Sequence, residues 1–338
     1  MSENLEEIQK NKSIKIGSRD SQLALLQSNM VKNAIEARHP YIHCEIIKIK
    51  TQGDKILDTA LSKIGDKGLF VKELEVELTL GNVDIAVHSM KDMPTVVPSG
   101  LKLIPALKRE DVRDIVCLSK EKMEFFENNP IPDGDSVLAH LETIGTSSLR
   151  RIAQIKAKYP HLKVKDIRGN LNTRFKKLDD PELGYDAIVL AAAGVKRLAE
   201  IDDSFLNRVS EFLDPVIVKP AVAQGALAIE FVEERTQIEK LINSLDDSRE
   251  QDIQNNILAI ERNFLNELEG GCQIPIGIYS ERKEKVVCFH SVVSSLDGTD
   301  SVENRLTIPY IELTPHIGRE IAKKLKSLGA EKLLSIRV

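Results

Sequence analysis

The sequence predicts an α/β protein made of two similar strand–helix units and a smaller C-terminal α+β module. Three observations predict this. Short apolar runs alternate with amphipathic stretches throughout the 338 residues. The grammar of the N-terminal part recurs from about residue 142. A further strand-and-helix stretch follows a long helix that begins near residue 249.

Residues 14–17 (IKIG) read as a strand, and a helix follows over about 20–38 with Leu23, Leu26, Met30 and Ala34 on one face. HCEIIKIK at 43–50 is a second strand, GLFVKELEVEL at 68–78 a helix, and DIAVHS at 84–89 a strand that runs into a Lys-Asp-Met-Pro turn. From residue 142 the order repeats as strand ETIG, helix SSLRRIAQIKAK, strand KVKDI, helix NLNTRFKKL and strand YDAIVLA. KIGSRDSQLALLQ aligns with ETIGTSSLRRIAQ, each a strand ending in Ile-Gly with a hydroxyl residue opening a helix, and NVDIAVHS aligns with GYDAIVLA. Two such units facing each other would offer helix N-termini to a shared cleft, where free N–H groups and the positive dipole end suit carboxylates or phosphates. PAVAQGALAIEF at 220–231 reads as a returning strand. A helix over about 249–267 leads to LEGGCQIPIG and a module closed by the helix of PHIGREIAKKLKSLG.

Composition narrows the function classes. Hydrophobic residues make up 42% and charged residues 29%, as in a soluble globular protein. Trp is absent and aromatics are 4%, which argues against a platform for stacking nucleic-acid bases. No apolar run approaches the roughly 20 residues that span a bilayer. The opening MSENLEEIQKNKS is acidic, polar and without a secretory h-region, so it reads as a floppy extension of a cytoplasmic protein. Cys44, Cys117, Cys272 and Cys288 lie far apart with no zinc spacing, which fits a reducing compartment. The net charge of −5 means that any anion site must come from a local cluster of basic residues.

Motifs for common chemistries are missing: there is no GxGxxG after a strand, no Walker A, no HExxH and no GxSxG. Basic residues instead gather at element ends. Arg19 follows Ile-Gly-Ser, Arg150 and Arg151 sit in the first turn of a helix, Arg168 and Arg174 flank RGNLNTR, and Arg197 follows the last strand of the second unit. The helix dipole disfavours cations at a helix start. Singly, each arginine reads as a solvated surface residue. Together at strand–helix junctions they favour an anion cleft with bidentate carboxylate contacts. Lys91 and Asp92 stand at the C-terminal end of a strand, a common place for ligand contacts, although Asp92 alone reads as a turn-former ahead of Pro94. Cys272 follows Gly270-Gly271, where a bulky group can approach a thiolate, although a lone Cys usually reads as buried and inert. His88 reads as a packed histidine.

The runs KIGSRDSQLALLQ, KTQGDKILDTALSKIGDKGLFVKELE, DIAVHSMKDMPT, IGTSSLRRIAQI, IRGNLNTR, AVAQGALAIE and LEGGCQIPIG resemble the sequence blocks of the hydroxymethylbilane synthase (porphobilinogen deaminase) family, in order from about residue 14 to 280. HSMKDMPT, GTSSLRR, RGNLNTR and LEGGCQ are the specific ones. Small departures are Ala223 for a common Gly, Val112 for a common Pro, the lack of the animal insertion in the third domain, and an N-terminal extension longer than in many bacterial members.

The resemblance implies a fold of three α/β domains. The first two resemble periplasmic-binding-protein lobes around a cleft, and the third is a small α+β domain. Domain 1 would be discontinuous, 1–110 plus about 220–245 and carrying the catalytic Asp. Domain 2 would be the Arg-rich lobe 111–219, and domain 3, 250–338, would bear the cofactor cysteine. It further implies a dipyrromethane cofactor on Cys272 through a thioether, Asp92 as the catalytic aspartate, and Lys91 beside it. Arg19, Ser21, Lys67, Lys91, Thr146, Ser148, Arg150, Arg151, Arg168, Arg174 and Gln224 would contact the cofactor. Arg19, Ser21, Lys63, Arg168, Arg174 and Arg197 would contact the substrate.

The implied reaction is the deaminative condensation of four porphobilinogen molecules onto the two-pyrrole primer. Water then releases linear hydroxymethylbilane for tetrapyrrole (haem) biosynthesis, with no metal required. Porphobilinogen would lose ammonia to give an azafulvene cation that Asp92 stabilises. The partners expected are small-molecule porphobilinogen, with no nucleic acid and no membrane, and the protein a cytoplasmic monomer. The rivals are a non-catalytic anion-binding protein of the binding-protein class, with no adduct on Cys272 and no use for Asp92, and a nucleotide or phosphate enzyme, disfavoured by the missing phosphate loops.

Overall fold

A computed structural model describes residues 13–51, 71–268 and 274–335. The chain divides into two compact units: residues 13–51, 71–110 and 225–255 in one, and 111–224, 256–268 and 274–335 in the other.

The first unit opens with β1 (Ser13–Arg19), α1 (Gln22–Arg38), β2 (His43–Ile49), α2 (Lys72–Thr79) and β3 (Ile85–Ser89). A 3-10 turn over Met90–Asp92 precedes β4 (Leu101–Ala106). The chain then builds the second unit from β5 (Asp114–Leu118), α3 (Lys120–Asn128), β6 (Thr143–Gly145), α4 (Leu149–Lys158), β7 (Lys163–Lys165), α5 (Leu171–Leu178), β8 (Ala187–Ala191), α6 (Ala192–Ala199) and β9 (Val209–Phe212). It returns to the first with β10 (Leu227–Val232) and α7 (Thr236–Asn243).

The two sheets share a plan. Their strand orders are β2-β1-β3-β10-β4 and β7-β6-β8-β5-β9. In each, the first three are parallel and the fourth runs antiparallel to both neighbours. The segments aligned in the sequence occupy matching places: Ile16-Gly17 lies opposite Ile85-Ala86, and Ile144-Gly145 opposite Ala187-Ile188. Gly145 is required by close approach, because a Cβ there would stand 2.9 Å from the Ile188 side chain and 3.0 Å from Tyr185. Pro105 lies in β4, the edge strand, where a missing N–H leaves no ladder bond unmade.

Apolar residues on alternate strand positions fill both faces of each sheet. In the first unit Ile16, Ile85, Ile229 and Phe231 pack with Val31 and Ile35 of α1, and Leu74 and Leu78 of α2 cover Val83 and Ala86 on the other side. The buried face of α1 is Gln27, Ser28, Val31 and Ile35, which corrects the expected face of Leu23, Leu26, Met30 and Ala34. Val31 and Ile35 on this face are fully buried, Met30 packs partly against the same core, and the buried Gln27 is satisfied because its Nε2 donates to Ser89 Oγ at 2.9 Å. Truncating Phe231, which is fully buried, would cost about 3–5 kcal/mol.

A long helix, α8 (Arg249–Glu267), leads into a three-stranded antiparallel sheet, β11 (Ile276–Arg282), β12 (Val286–Ser294) and β13 (Ser301–Pro309), followed by α9 (His316–Leu325) and the short α10 (Glu331–Leu334). This sheet belongs to the second unit. Gly298, at φ +78° between β12 and β13, rests on α4, where a Cβ would fall 2.2 Å from the Ala153 carbonyl. No helix among the described residues is long and apolar enough to cross a membrane.

Candidate active site

In the first unit the residues of interest stand at the carboxyl ends of two adjacent parallel strands. Arg19 ends β1, and Ser21 caps α1, its hydroxyl accepting from Ala24 N at 3.4 Å. Lys91 and Asp92 occupy the 3-10 turn after β3. That turn is held at both ends: Met90 N donates to the Ala226 carbonyl at 3.0 Å, and Met93 N to the Met90 carbonyl at 3.2 Å. Met90 and Met93 are buried while Asp92 is exposed, so the packing of its neighbours aims the carboxylate outward. The ends of neighbouring parallel strands are where α/β sheets bind ligands.

The second unit repeats the placement with a different chemistry. Thr146 and Ser148 follow β6, and Thr146 Oγ1 accepts from Ser148 N at 3.3 Å. Ser148 sits at the N-cap of α4 without a side-chain cap bond. Ser147 pins the neighbouring loop, donating to the Ile167 carbonyl and accepting from Ile167 N, both at 3.1 Å. Arg168 lies one residue on. Its Nη1 is buried without a hydrogen-bond partner among the described residues. Asn170 caps α5 by accepting from Thr173 N at 2.9 Å, and Arg174 Nε donates to the Gly169 carbonyl at 2.9 Å. Arg197 lies buried on α6.

Arg150 and Arg151 are buried rather than solvated, each 6% exposed. Both turn to Asp114, which is fully buried at the start of β5. Arg150 Nη1 donates to Oδ2 at 2.7 Å, and Arg151 Nη2 to Oδ1 at 2.8 Å. Backbone carbonyls brace them a second time, Lys219 O for Arg150 at 2.7 Å and Val189 O for Arg151 at 2.9 Å. Gln224 Nε2 adds a third bond to Asp114 Oδ1 at 2.9 Å. Burial pushes the Asp114 carboxyl upward, but the two guanidiniums outweigh it and hold the group well below the usual carboxylate range. Burial lowers Arg150 from its ordinary value, and Asp114 partly restores it.

The cluster thus sets two cations against one anion. That surplus, with the unmatched Nη1 of Arg168 and the uncapped start of α4, is a donor set suited to a group rich in carboxylates, so a dipyrromethane with acidic side chains fits it.

Thr146, Ser148, Arg150, Arg151, Arg168, Arg174, Arg197 and Gln224 fall in the second unit, and Arg19, Ser21, Lys91 and Asp92 in the first. Lys63, Lys67 and Cys272 lie outside the described residues. The sequence reading missed Asp114, Lys219 and Gln154. Gln154 accepts from Lys219 N at 2.8 Å and donates to the Lys219 carbonyl at 3.1 Å. Asp114 stands at the head of an ordinary apolar strand, DIVCL, and only its burial reveals it.

The chain matches the family described as "Porphobilinogen deaminase, dipyromethane cofactor binding domain" over residues 14–240, and "Porphobilinogen deaminase, C-terminal domain" over 257–327. The porphobilinogen deaminase of Prochlorococcus marinus strain AS9601 is 46% identical over 322 residues, covering 95% of this chain and 96% of that protein. That of strain MIT 9303 is 42% identical over 322 residues, covering 95% of each. Similarity to solved structures is lower. A periplasmic aliphatic sulphonate binding protein of Escherichia coli aligns at 12% identity over 74% of each chain with a TM-score of 0.38.

Proposed function

Because this chain belongs to the porphobilinogen deaminase family, and so is a transferase that makes hydroxymethylbilane from porphobilinogen with a dipyrromethane cofactor, we propose which of its residues do that work. Asp92 is the catalytic carboxylate, with Lys91 beside it, and Cys272 bears the cofactor. Thr146, Ser148, Arg150, Arg151, Arg168, Arg174 and Gln224, with Arg19, Ser21, Lys67 and Lys91, hold its acetate and propionate groups. Arg19, Ser21, Lys63, Arg168, Arg174 and Arg197 receive those of the substrate.

The observation that carries the assignment is the charge surplus around Asp114, with the buried unmatched donor of Arg168 close in sequence to Arg174. Neither feature serves a fold by itself, since buried donors without acceptors and unbalanced buried cations both cost stability.

Bound to this chain, the cofactor supplies the pyrrole carbon onto which further units are added. Asp92 sits on a turn whose backbone is fixed from both sides, so its carboxylate is preorganised for positive charge that develops on a pyrrole nitrogen. The same oxygen can hold the proton of the departing amine. Arg19, at the end of β1, supplies a cation for the carboxylates each porphobilinogen carries, and Lys91, on the turn after β3, one for those of the cofactor. Every added ring brings two more carboxylates, which is why the donor set is larger than one substrate needs.

The three-domain division, with 1–110 and about 220–245, 111–219, and 250–338, remains our reading of how these roles are distributed. We also place the protein in the cytoplasm as a monomer that binds no nucleic acid.

The test is Asp92→Asn, which keeps the shape of the turn and discards the charge. Porphobilinogen turnover should fall by about 10² to 10³, while thermal unfolding stays unchanged. Turnover near wild type would mean that Asp92 only forms the turn before Pro94.

A further inference from the structure

We propose that Asp114 is a positioning residue that sets the charge and aim of Arg150 and Arg151, an inference that rests on assigning those arginines to pyrrole carboxylates. Asp114 is itself immobilised: it pairs with Ala191 across β5 and β8, and its carbonyl accepts from Leu213 N at 2.9 Å. Its side chain is fully buried and takes three donors, from Arg150, Arg151 and Gln224.

Two consequences follow from physics. The first concerns entropy. Arginine side chains are long and rotamer-rich, and a carboxylate that fixes one edge of each guanidinium removes that freedom before any ligand arrives. Among the described residues, the side-chain hydrogen bonds of Arg150 leave from Nη1 alone, so Nη2 and Nε remain to donate to an incoming carboxylate. The second concerns charge. Without Asp114, two cations would share a dry site and repel each other into other rotamers. With it, one positive charge is left over, and one carboxylate of a bound pyrrole completes the balance. Asp114 therefore acts through the arginines and does not itself touch an anion, which it would repel.

The experiment compares Asp114→Asn, Asp114→Glu, Arg151→Leu and the Asp114→Asn/Arg151→Leu double variant. It uses steady-state turnover of porphobilinogen, the fraction of chains carrying the two-pyrrole adduct by denaturing mass spectrometry, and thermal unfolding. Asp114→Asn should lower adduct occupancy about tenfold, with KM and kcat of the loaded fraction changed less than about threefold. Because both changes act on one cluster, the double variant should lose less than the product of the two single losses.

An Asp114→Asn protein with wild-type occupancy, changed only in unfolding temperature, overturns the proposal, and so do fully multiplicative losses of occupancy. If the Asn variant does not fold, Asp114→Glu decides. It keeps the charge but moves it, so lowered adduct occupancy at unchanged unfolding temperature supports positioning, and wild-type occupancy overturns it. Failure of the underlying assignment looks different, because Arg151→Leu itself would then keep full occupancy.

Discussion

His88 Nε2 lies 3.2 Å from Glu230 Oε2, on adjacent antiparallel strands of the first sheet, with both side chains buried. The atoms are at ion-pair distance without the alignment of a hydrogen bond. On α2, Glu75 responds to this pair. Burial pushes its carboxyl above the usual range and Glu230 adds to the rise, while His88 and Lys72 oppose it. A carboxyl raised on folding contributes stability that is fully present below its unfolded value of 4.5 and is lost as pH rises through the higher folded value. Glu75→Gln should therefore melt higher than the parent near pH 7, and the two should converge near pH 4. An equal difference at both pH values would contradict this.

The burial of Arg150 and Arg151 gives a stability prediction. Arg151→Leu leaves Arg150 and Asp114 as a balanced pair but removes two buried hydrogen bonds, to Asp114 and to the Val189 carbonyl, and a buried group that loses its partner costs about 1–3 kcal/mol. Arg150 still neutralises Asp114, so the loss should sit toward the low end. Urea unfolding measures it. A loss under about 0.5 kcal/mol, as for a surface arginine, would mean that the arginine is not buried as described.

Much of this was readable beforehand, and the exceptions share a cause. Ile-Gly followed by a hydroxyl residue announced both strand–helix junctions, because the sheet leaves no room for a Cβ at Gly145 and the helices need caps such as Ser21. Arg150 and Arg151 stood out as cations at the disfavoured helix end, but their burial did not, since the carboxylate that compensates them lies 36 and 37 residues earlier in the chain. The α1 face eludes hydropathy for a similar reason: Leu23 ranks above Gln27, yet Gln27 is buried with its amide bonded to Ser89 across the fold. Periodicity records local amphipathicity. It carries no signal for polar partners brought together by a sheet.

The cysteines give a reactivity prediction. Burial pushes Cys44 up to about 11 and Cys117 up to about 12, so neither is a thiolate near neutrality. Cys288 is partly exposed. Under native conditions at about pH 8, iodoacetamide should alkylate Cys288 first and leave Cys44 and Cys117 unlabelled until the chain unfolds. Rapid native labelling of Cys117 would contradict its burial in the second sheet.

The central claim is that this chain carries a two-pyrrole cofactor on Cys272, and the intact mass of the purified, denatured protein tests it most directly. The wild-type chain should be heavier than its sequence by one dipyrromethane in thioether linkage, and the surplus should vanish in Cys272→Ala. An unmodified wild-type chain from an active preparation, or an adduct that persists in Cys272→Ala, would contradict the account.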